Sequence, residues 1–267
     1  MLPIVKYRPL TAAPFRRNRS YRELAPRAAL SPYIRCFWGR DGAAGAAGDN
    51  SLVIPDTCTD ILFFRDAPPV YCGLDERAHT AGADGDDVLF AIRFYGWTAV
   101  YFADRDLSRT KNRAVPAEEY FGRLLVGLKE HLPDAATLGA RAALAERALI
   151  ARLDPARESA DLLNAVSLML DGAGRTRIAE LSRRTAVSEK TLERLFLAHT
   201  GLSPKSFSSL LRYQLLWRDV LSSPDLSALD AVEKFGYADQ AHLLNDFRKR
   251  HGMTPREARD YAFKNKF

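Results

Sequence analysis

The chain has 267 residues, of which 47% are hydrophobic and 27% charged, a composition that suits one large or two ordinary well-packed globular domains. No run approaches the ~18 apolar residues of a membrane span. The first twenty residues are basic but lack the apolar core and cleavage site of a secretory leader, so a cytoplasmic location is expected. Net charge is +6, with 18 basic against 14 acidic residues from Arg157 onward; this excess is compatible with nucleic-acid binding and too mild to establish it.

The first ~105 residues read as β-rich. Branched and aromatic runs at 34–38, 52–54, 60–64, 70–73 and 88–94 predict short strands separated by Gly, Asp and Pro clusters at 41–50 and 82–87. Such spacing suggests an antiparallel sandwich or barrel. The Gly/Ala run at 42–48 reads as a loop. Three cysteines (Cys36, Cys58, Cys72), odd in number and far apart, do not make a disulfide framework; buried strand cysteines are the ordinary reading, a thiol sensor the sharper one. A metal-dependent barrel enzyme would need several histidines, and His79 alone lies in the strand-rich region, so neither a metal site nor a cofactor is expected. Asp56 and Asp60 bracket an apolar turn. Their structural reading is turn chemistry and an internal ion pair with Arg93, which lies inside an apolar strand. Trp38, Phe94, Tyr95, Trp97 and Tyr101 are candidates for core or for an aromatic pocket.

From Pro116 the pattern turns helical, with helices predicted over 117–131 and 137–153. In the second, Leu138, Ala142, Ala145 and Leu149 form one stripe, read as packing against the β region or as a dimerisation face. Asp154-Pro155 breaks the pattern and places a linker near 152–158, dividing the chain into an N-terminal regulatory domain (1–155) and a helical domain (156–267).

The helical part repeats one plan. Residues 177–200 and 226–251 each read as a short apolar helix, a tight turn and a second, polar helix, and each copy is followed by Gly-x-Ser/Thr-Pro (Gly201 to Pro204, Gly252 to Pro255). A helix over 159–171 precedes the first copy, with Leu162, Leu163, Val166 and Leu170 on one face. In the first copy Ile178, Ala179 and Leu181 give the leading helix its buried face, and Thr185-Ala186-Val187 makes the turn. Ser188 caps the next helix, and Leu192, Leu195, Phe196 and His199 face inward. Its outer face offers Glu189, Lys190, Thr191, Glu193 and Arg194. Lys190 and Arg194 are one turn apart; arginine paired bidentately with guanine is the commonest specific base contact, while Lys190 reads equally as a phosphate contact or a solvated lysine. Ser203-Pro204 opens a connecting helix to about Leu221, with Arg212 and Arg218 as its exposed charges.

In the second copy Leu229, Val232 and Phe235 are core candidates, Gly236 takes the turn, and Asp239 caps a helix with Leu243 and Phe247 inward. Gln240, Ala241, His242, Leu244 and Asn245 lie outward; Gln240 and Asn245 are adenine-reading types, and His242 is a structural, phosphate or base contact. Arg248, Lys249 and Arg250 form a solvated face or a phosphate clamp. Thr254 and Glu257 form a capping box. A helix-turn-helix presents an exposed helix that fits the major groove, so tandem copies point to DNA.

The residues that carry a resemblance are 188–196 (SEKTLERLF), 200–204 (TGLSP), Phe235-Gly236-Tyr237, 239–243 (DQAHL), Phe247 and Gly252-Met253-Thr254-Pro255. Through them, residues 160–262 resemble the AraC/XylS family of bacterial transcription regulators. The resemblance implies a seven-helix unit whose two reading helices enter successive major-groove faces on one side of the duplex. It assigns base-reading positions to Lys190, Thr191 and Arg194 and to Gln240, Ala241, His242 and Asn245; many members carry arginine where Asn245 stands. The stretches 32–38, 54–63 and 91–94 are similar to a sensor-like domain found ahead of this unit. The expected fold is therefore α+β: a β-barrel-like N-terminal domain with trailing helices, then an all-α tandem helix-turn-helix domain. The expected function is sequence-specific transcription regulation without enzymatic activity. Its implied partners are double-stranded DNA and RNA polymerase, with a small-molecule effector and a homodimer left open. The competing class is an enzyme or ligand-binding protein whose helical part is only an interaction module.

Overall fold

A computed structural model describes residues 7–10, 21–40, 52–80, 88–223 and 226–264; the Gly/Ala run at 42–48 and the cluster at 82–87 lie outside them. Strands β1 (Tyr21–Leu24), β2 (Ile34–Arg40), β4 (Cys58–Phe64), β5 (Val70–Cys72), β7 (Val88–Tyr95) and β8 (Ala114–Pro116) form one antiparallel sheet in the order β1-β2-β7-β4-β5-β8. A separate ribbon pairs β3 (Leu52–Val53) with β6 (His79–Thr80). Among the described residues the sheet is open at β1 and β8 and does not close into a barrel. The five expected strands are present; β1, β6 and β8 are additional, four residues or fewer each, too short for a period-two pattern to reveal.

Alternation along the strands gives the sheet two unlike faces. One face is aromatic and aliphatic: Phe37, Ile61, Phe63, Phe90, Ile92 and Phe94 are buried under α1 (Ala117–Leu125) and α3 (Leu138–Arg152). The stripe Leu138, Ala142, Ala145 and Leu149 is used up in this packing, so it is core rather than a dimerisation face. The helix expected over 117–131 is two: Gly127 adopts φ 72°, which ends α1 after Leu125 and starts α2 (Leu128–His131). The opposite face carries an ionic cluster. Register places Cys36, Arg93, Asp60 and Cys72 in one row across β2, β7, β4 and β5. The Arg93 guanidinium donates through Nε and Nη2 to Asp60 at 3.0 and 2.8 Å, Trp38 Nε1 donates to Asp60 at 2.9 Å, and Asp56 lies 3.5 Å from Arg93 Nη1. The expected Arg–Asp pair is thus present and includes both carboxylates. Burial, partly offset by Arg93, pushes Asp56 up to about 6. Cys36 and Cys58 are buried and Cys72 half-buried; burial raises all three thiols, which holds them in the unreactive neutral form.

The helical half comprises α4 (Ala160–Asp171), α5 (Ile178–Thr185), α6 (Glu189–Thr200), α7 (Pro204–Ser222), α8 (Ala228–Phe235), α9 (Gln240–His251) and α10 (Pro255–Lys264). A turn of 3-10 helix at Pro155–Arg157 joins it to α3, within the expected linker. The two halves share a core. Tyr7, Leu74, Tyr95 and Trp97 are buried with Leu162, Phe196, Phe207 and Trp217 in one cluster, and Trp97 meets the Phe207 ring edge-on with centroids 5.9 Å apart. The candidate aromatic pocket is therefore dispersed: Trp38 lies on the ionic face, Phe94 and Tyr101 in the sheet–helix core, and Trp97 at the junction. Gln214 of α7 is buried and, among the described residues, is satisfied from the sheet half, donating to Pro55 O and accepting from Leu10 N at 3.3 Å. Tyr7 Oη bonds Thr57 Oγ1 at 2.9 Å, so Asp56 sits between two residues tied to the junction. No described helix is long and apolar enough to cross a membrane.

Removing a fully buried tryptophan side chain costs about 3–5 kcal/mol. Trp97→Ala is expected to lower unfolding free energy by that amount in urea titration and to separate the unfolding of sheet and helices into two transitions. A single transition within about 1 kcal/mol of wild type would show that the halves do not share a core.

Candidate nucleic-acid interface

The two helix pairs are built alike from local chemistry. α5 ends at Ala186 in the left-handed region (φ 56°), and α8 ends at Gly236 in the same conformation (φ 65°). The next residue, Val187 or Tyr237, is buried, and its N–H closes the turn onto Ser182 O at 3.2 Å or Val232 O at 3.0 Å. Ser188 then caps α6, its Oγ accepting from Thr191 N at 3.2 Å, and Asp239 caps α9, its Oδ1 accepting from His242 N at 2.7 Å. Both helices have 12 residues, and both stop at a left-handed glycine (Gly201, φ 73°; Gly252, φ 82°). Ser203 caps α7, and Thr254 with Glu257 forms the reciprocal capping box of α10, with Thr254 N donating to Glu257 Oε2 at 2.8 Å and Glu257 N to Thr254 Oγ1 at 3.3 Å.

Interior positions largely follow the periodicity, with four corrections. Leu192 and Phe196 are buried and Leu195 and His199 half-buried; Leu162 and Val166 are buried while Leu163 and Leu170 are half-buried. Ala179 is exposed, and α5 is anchored by Leu181 with half-buried Ile178. Leu229 is 77% exposed; Ala231 takes the inward position in α8, beside Phe235. Helices of eight residues make barely two turns, so a stripe read from sequence is easily one residue out of phase. Arg212 is not a surface charge: its guanidinium lies 4.3 Å from the centre of the Tyr237 ring and 3.9 Å from Asp246. Arg250 is likewise turned inward, donating to Ser209 Oγ at 2.7 Å and lying 3.4 Å from Asp246 Oδ1, which leaves Arg248 and Lys249 as the exposed members of the basic run. Arg218 is exposed as expected.

Lys190 and Arg194 stand exposed on one side of α6. Thr191 is half-buried and its hydroxyl is engaged at 2.9 Å with Ser188 Oγ, so it supports the cap. On α9, Gln240, Ala241, His242 and Asn245 are all exposed, and Leu244 is half-buried. His242 also steadies its own turn, with Nδ1 accepting from Ala238 N at 3.4 Å and the ring meeting Tyr237 edge-on at 5.3 Å. The structure therefore groups the candidates as two exposed clusters on separate helices, joined through α7. Sequence reasoning missed what lies beside the first. Lys190, Glu193, Arg194, Leu197 and Ala198 form one wall of a surface groove of about 430 Å³, and Asp106 and Ser108 from the sheet half form the other.

The far end of α9 is fixed by a buried histidine. His251 Nδ1 is 2.7 Å from the Tyr213 hydroxyl, and its ring stacks on Phe247 at 5.0 Å. Nε2 has no hydrogen-bond partner among the described residues, so an imidazolium here would bury an N–H without an acceptor there, and burial lowers the group to about 4.

Residues 181–261 match the family model described as "Helix-turn-helix domain", and residues 22–116 match "Domain of unknown function (DUF6597)". Among curated proteins, the chain is 35% identical over 79 residues to the HTH-type transcriptional activator RhaS of Escherichia fergusonii, covering 30% of this chain and 28% of that one. It is 34% identical over 74 residues to RhaS of Enterobacter sp. (strain 638), covering 28% of this chain and 26% of that one. The matches thus span little more than a quarter of the length of these relatives. No solved structure matches the chain significantly.

Two stability measurements test this geometry. Ala186 pays for its left-handed backbone where its counterpart is glycine, so Ala186→Gly is expected to stabilise the fold by up to about 1 kcal/mol in thermal or urea unfolding; a loss of stability would contradict the assignment. For His251 the folded value lies below the usual histidine value, so its stabilising contribution is complete above pH 6.5 and is lost as pH falls towards about 4. Asp56, with a raised folded value, works in the opposite sense below pH 6, so the comparison isolates His251 only against a variant. His251→Gln is expected to reduce the stability lost between pH 6.5 and 4 by on the order of 2–4 kcal/mol in total; an unchanged loss would show a solvated imidazole. With its capped helix pairs, its paired left-handed turns and the family match over 181–261, the C-terminal part of the chain is a helix-turn-helix domain of the AraC type, with a distinct N-terminal domain ahead of it.

Proposed function

We propose that this protein is a cytoplasmic, sequence-specific double-stranded DNA-binding regulator of transcription, with a DNA-binding domain over 156–267 and a signal-sensing domain over 1–155. The observation that carries the reading is the pair of capped 12-residue helices, α6 and α9, each exposing polar side chains from the same structural frame. A helix of this kind seats its first turns on base edges in the major groove while neighbouring elements hold the backbone. Arg194 and Lys190 serve as the cationic readers, and Gln240 and Asn245 as neutral readers with paired donor and acceptor. His242 and Ala241 complete the second surface, and Thr191 acts through the α6 cap. The relatives' printed description as transcriptional activators supports regulation through RNA polymerase as partner. The N-terminal half, a sheet domain ahead of the DNA-binding unit, is the place for a small-molecule effector, and a homodimer is compatible with paired sites. The reading is of a regulator and not of an enzyme.

The first motif carries two exposed cations where the second carries neutral readers, so α6 is expected to dominate affinity and α9 to refine site choice. A duplex selected from a random pool by the full chain supplies the probe. Arg194→Ala is expected to cost about 1–3 kcal/mol on that duplex by fluorescence anisotropy and to relax preference at one base. Asn245→Ala is expected to cost less. Unchanged affinity would remove Arg194 from the reading set, and failure to enrich any sequence would overturn the function itself.

A further inference from the structure

The segment between Asp104 and Arg113 belongs to the sheet half but rides on the end of α6. Leu107 is fully buried, its N–H donates to Ala198 O at 2.8 Å, and its own carbonyl accepts from Thr110 Oγ1 at 2.8 Å. Gly201 eases the approach: its φ of 73° suits glycine, and a Cβ there would sit tightly, 3.0 Å from Leu107 O. The segment is thus fixed to the helix that bears Lys190 and Arg194, and with that helix it borders the open groove described above.

An α-helix with its side chains is about 10–12 Å across and the major groove about 12 Å wide, so a helix seated in the groove leaves no room there for a second element. Whatever is bonded beside the exposed stripe of α6 must meet the sugar–phosphate wall. The segment has the charge for that meeting. Arg105, Arg109 and Arg113 are exposed, and Lys111 is held by Glu76 at 2.5 Å. Asp104 is paired with Arg152 at 3.0 Å, and Asp106 is engaged by the Ser108 N–H at 3.0 Å and by its hydroxyl. Arg105 lies over the Tyr120 ring at 5.7 Å, which leaves Arg109 and Arg113 as exposed guanidiniums without an ion pair among the described residues. Of these two, Arg109 directly follows Ser108 of the groove wall, whereas Arg113 leads into β8 and its backbone is bonded to Gly73.

We infer that the N-terminal domain is itself part of the DNA-binding surface: the segment 104–113 grips the phosphate backbone flanking the groove that α6 enters, with Arg109 as its principal contact. The inference rests on the proposed DNA-binding reading, and it makes the N-terminal domain a contributor to affinity rather than only a source of signals. Phosphate contacts position without specifying sequence, so this grip acts on every duplex alike.

The test uses the full chain and two labelled probes, the selected duplex and a random-sequence duplex of equal length. Arg109→Ala, at an exposed position that leaves the fold intact by circular dichroism, is expected to weaken binding about three- to tenfold on both probes. It also lowers the slope of log K against log salt by about 1. Asp106→Asn keeps an oxygen for Ser108 while removing a charge that repels phosphate, and is expected to tighten binding on both probes. Arg194→Ala serves as the contrast, weakening the selected probe far more than the random one. If wild type binds and Arg109→Ala leaves affinity and slope unchanged, the backbone grip is wrong while the DNA-binding reading stands. Tighter binding by Arg109→Ala also overturns it, since the segment would then obstruct DNA. If wild type selects no sequence and binds neither probe, the reading and the inference fall together.

Discussion

Helix α7 constrains everything else in this molecule. Phe207, Leu210, Leu211, Tyr213, Leu215, Leu216 and Trp217 are all buried, on more than one side of the helix, so α7 cannot form a surface and must be enclosed. The first helix pair covers it through Phe196, the second through Phe247 and His251, and the sheet half through Trp97 and the bonds to Gln214. Because these contacts converge on one element, the relative placement of α6 and α9 is a packing result and not a matter of linker length. A buried amide such as Gln214 costs free energy unless satisfied, and its partners come from the other half of the chain. That requirement ties the two halves in a particular orientation where apolar contact alone would tolerate sliding.

The junction also gives the sheet half a physical connection to α6 and α9. Pro55 holds Gln214, Thr57 holds Tyr7, and Asp56 between them faces Arg93 in the ionic row of the sheet. A second connection runs through Leu107 to the end of α6, and a third through Ala78, whose N–H donates to Arg250 O at 2.6 Å near the end of α9. Both α6 and α9 are therefore touched at their C-terminal ends by the sheet half, leaving their first turns exposed. This is the arrangement expected where one part of a chain positions another's binding surface.

Local chemistry was legible in the sequence, and long-range placement was not. Ser188, Ser203, Asp239 and Thr254 could be recognised as caps because each acts on an N–H three residues on, inside the window a reader can see. Gly236 announced its turn for the same reason, whereas Ala186 adopts the same conformation without any compositional sign. The Arg93 pairing was legible because an arginine within an apolar strand demands a carboxylate, and Asp56 and Asp60 were the near candidates. Two turns of helix do not fix a phase, so Leu229 and Ala179 read as inward from sequence although both are exposed. Arg212 and Arg250 look like surface charges until Tyr237 and Asp246 arrive from distant positions to receive the first and Ser209 to receive the second. The loop wall at Asp106 and Ser108, some 90 residues from Arg194, has no sequence signature at all.

The central claim is that α6 and α9 read DNA together, held in one frame by α7. Hydroxyl-radical footprinting with methylation interference, on a duplex selected by the full chain, tests it most directly. Two protected patches are expected on the same side of the duplex, roughly one helical turn (about 10 bp) apart, each with interference at major-groove purines. A single patch, or protection on opposite sides of the duplex, would contradict the shared frame; uniform protection abolished by modest salt would contradict sequence-specific reading altogether.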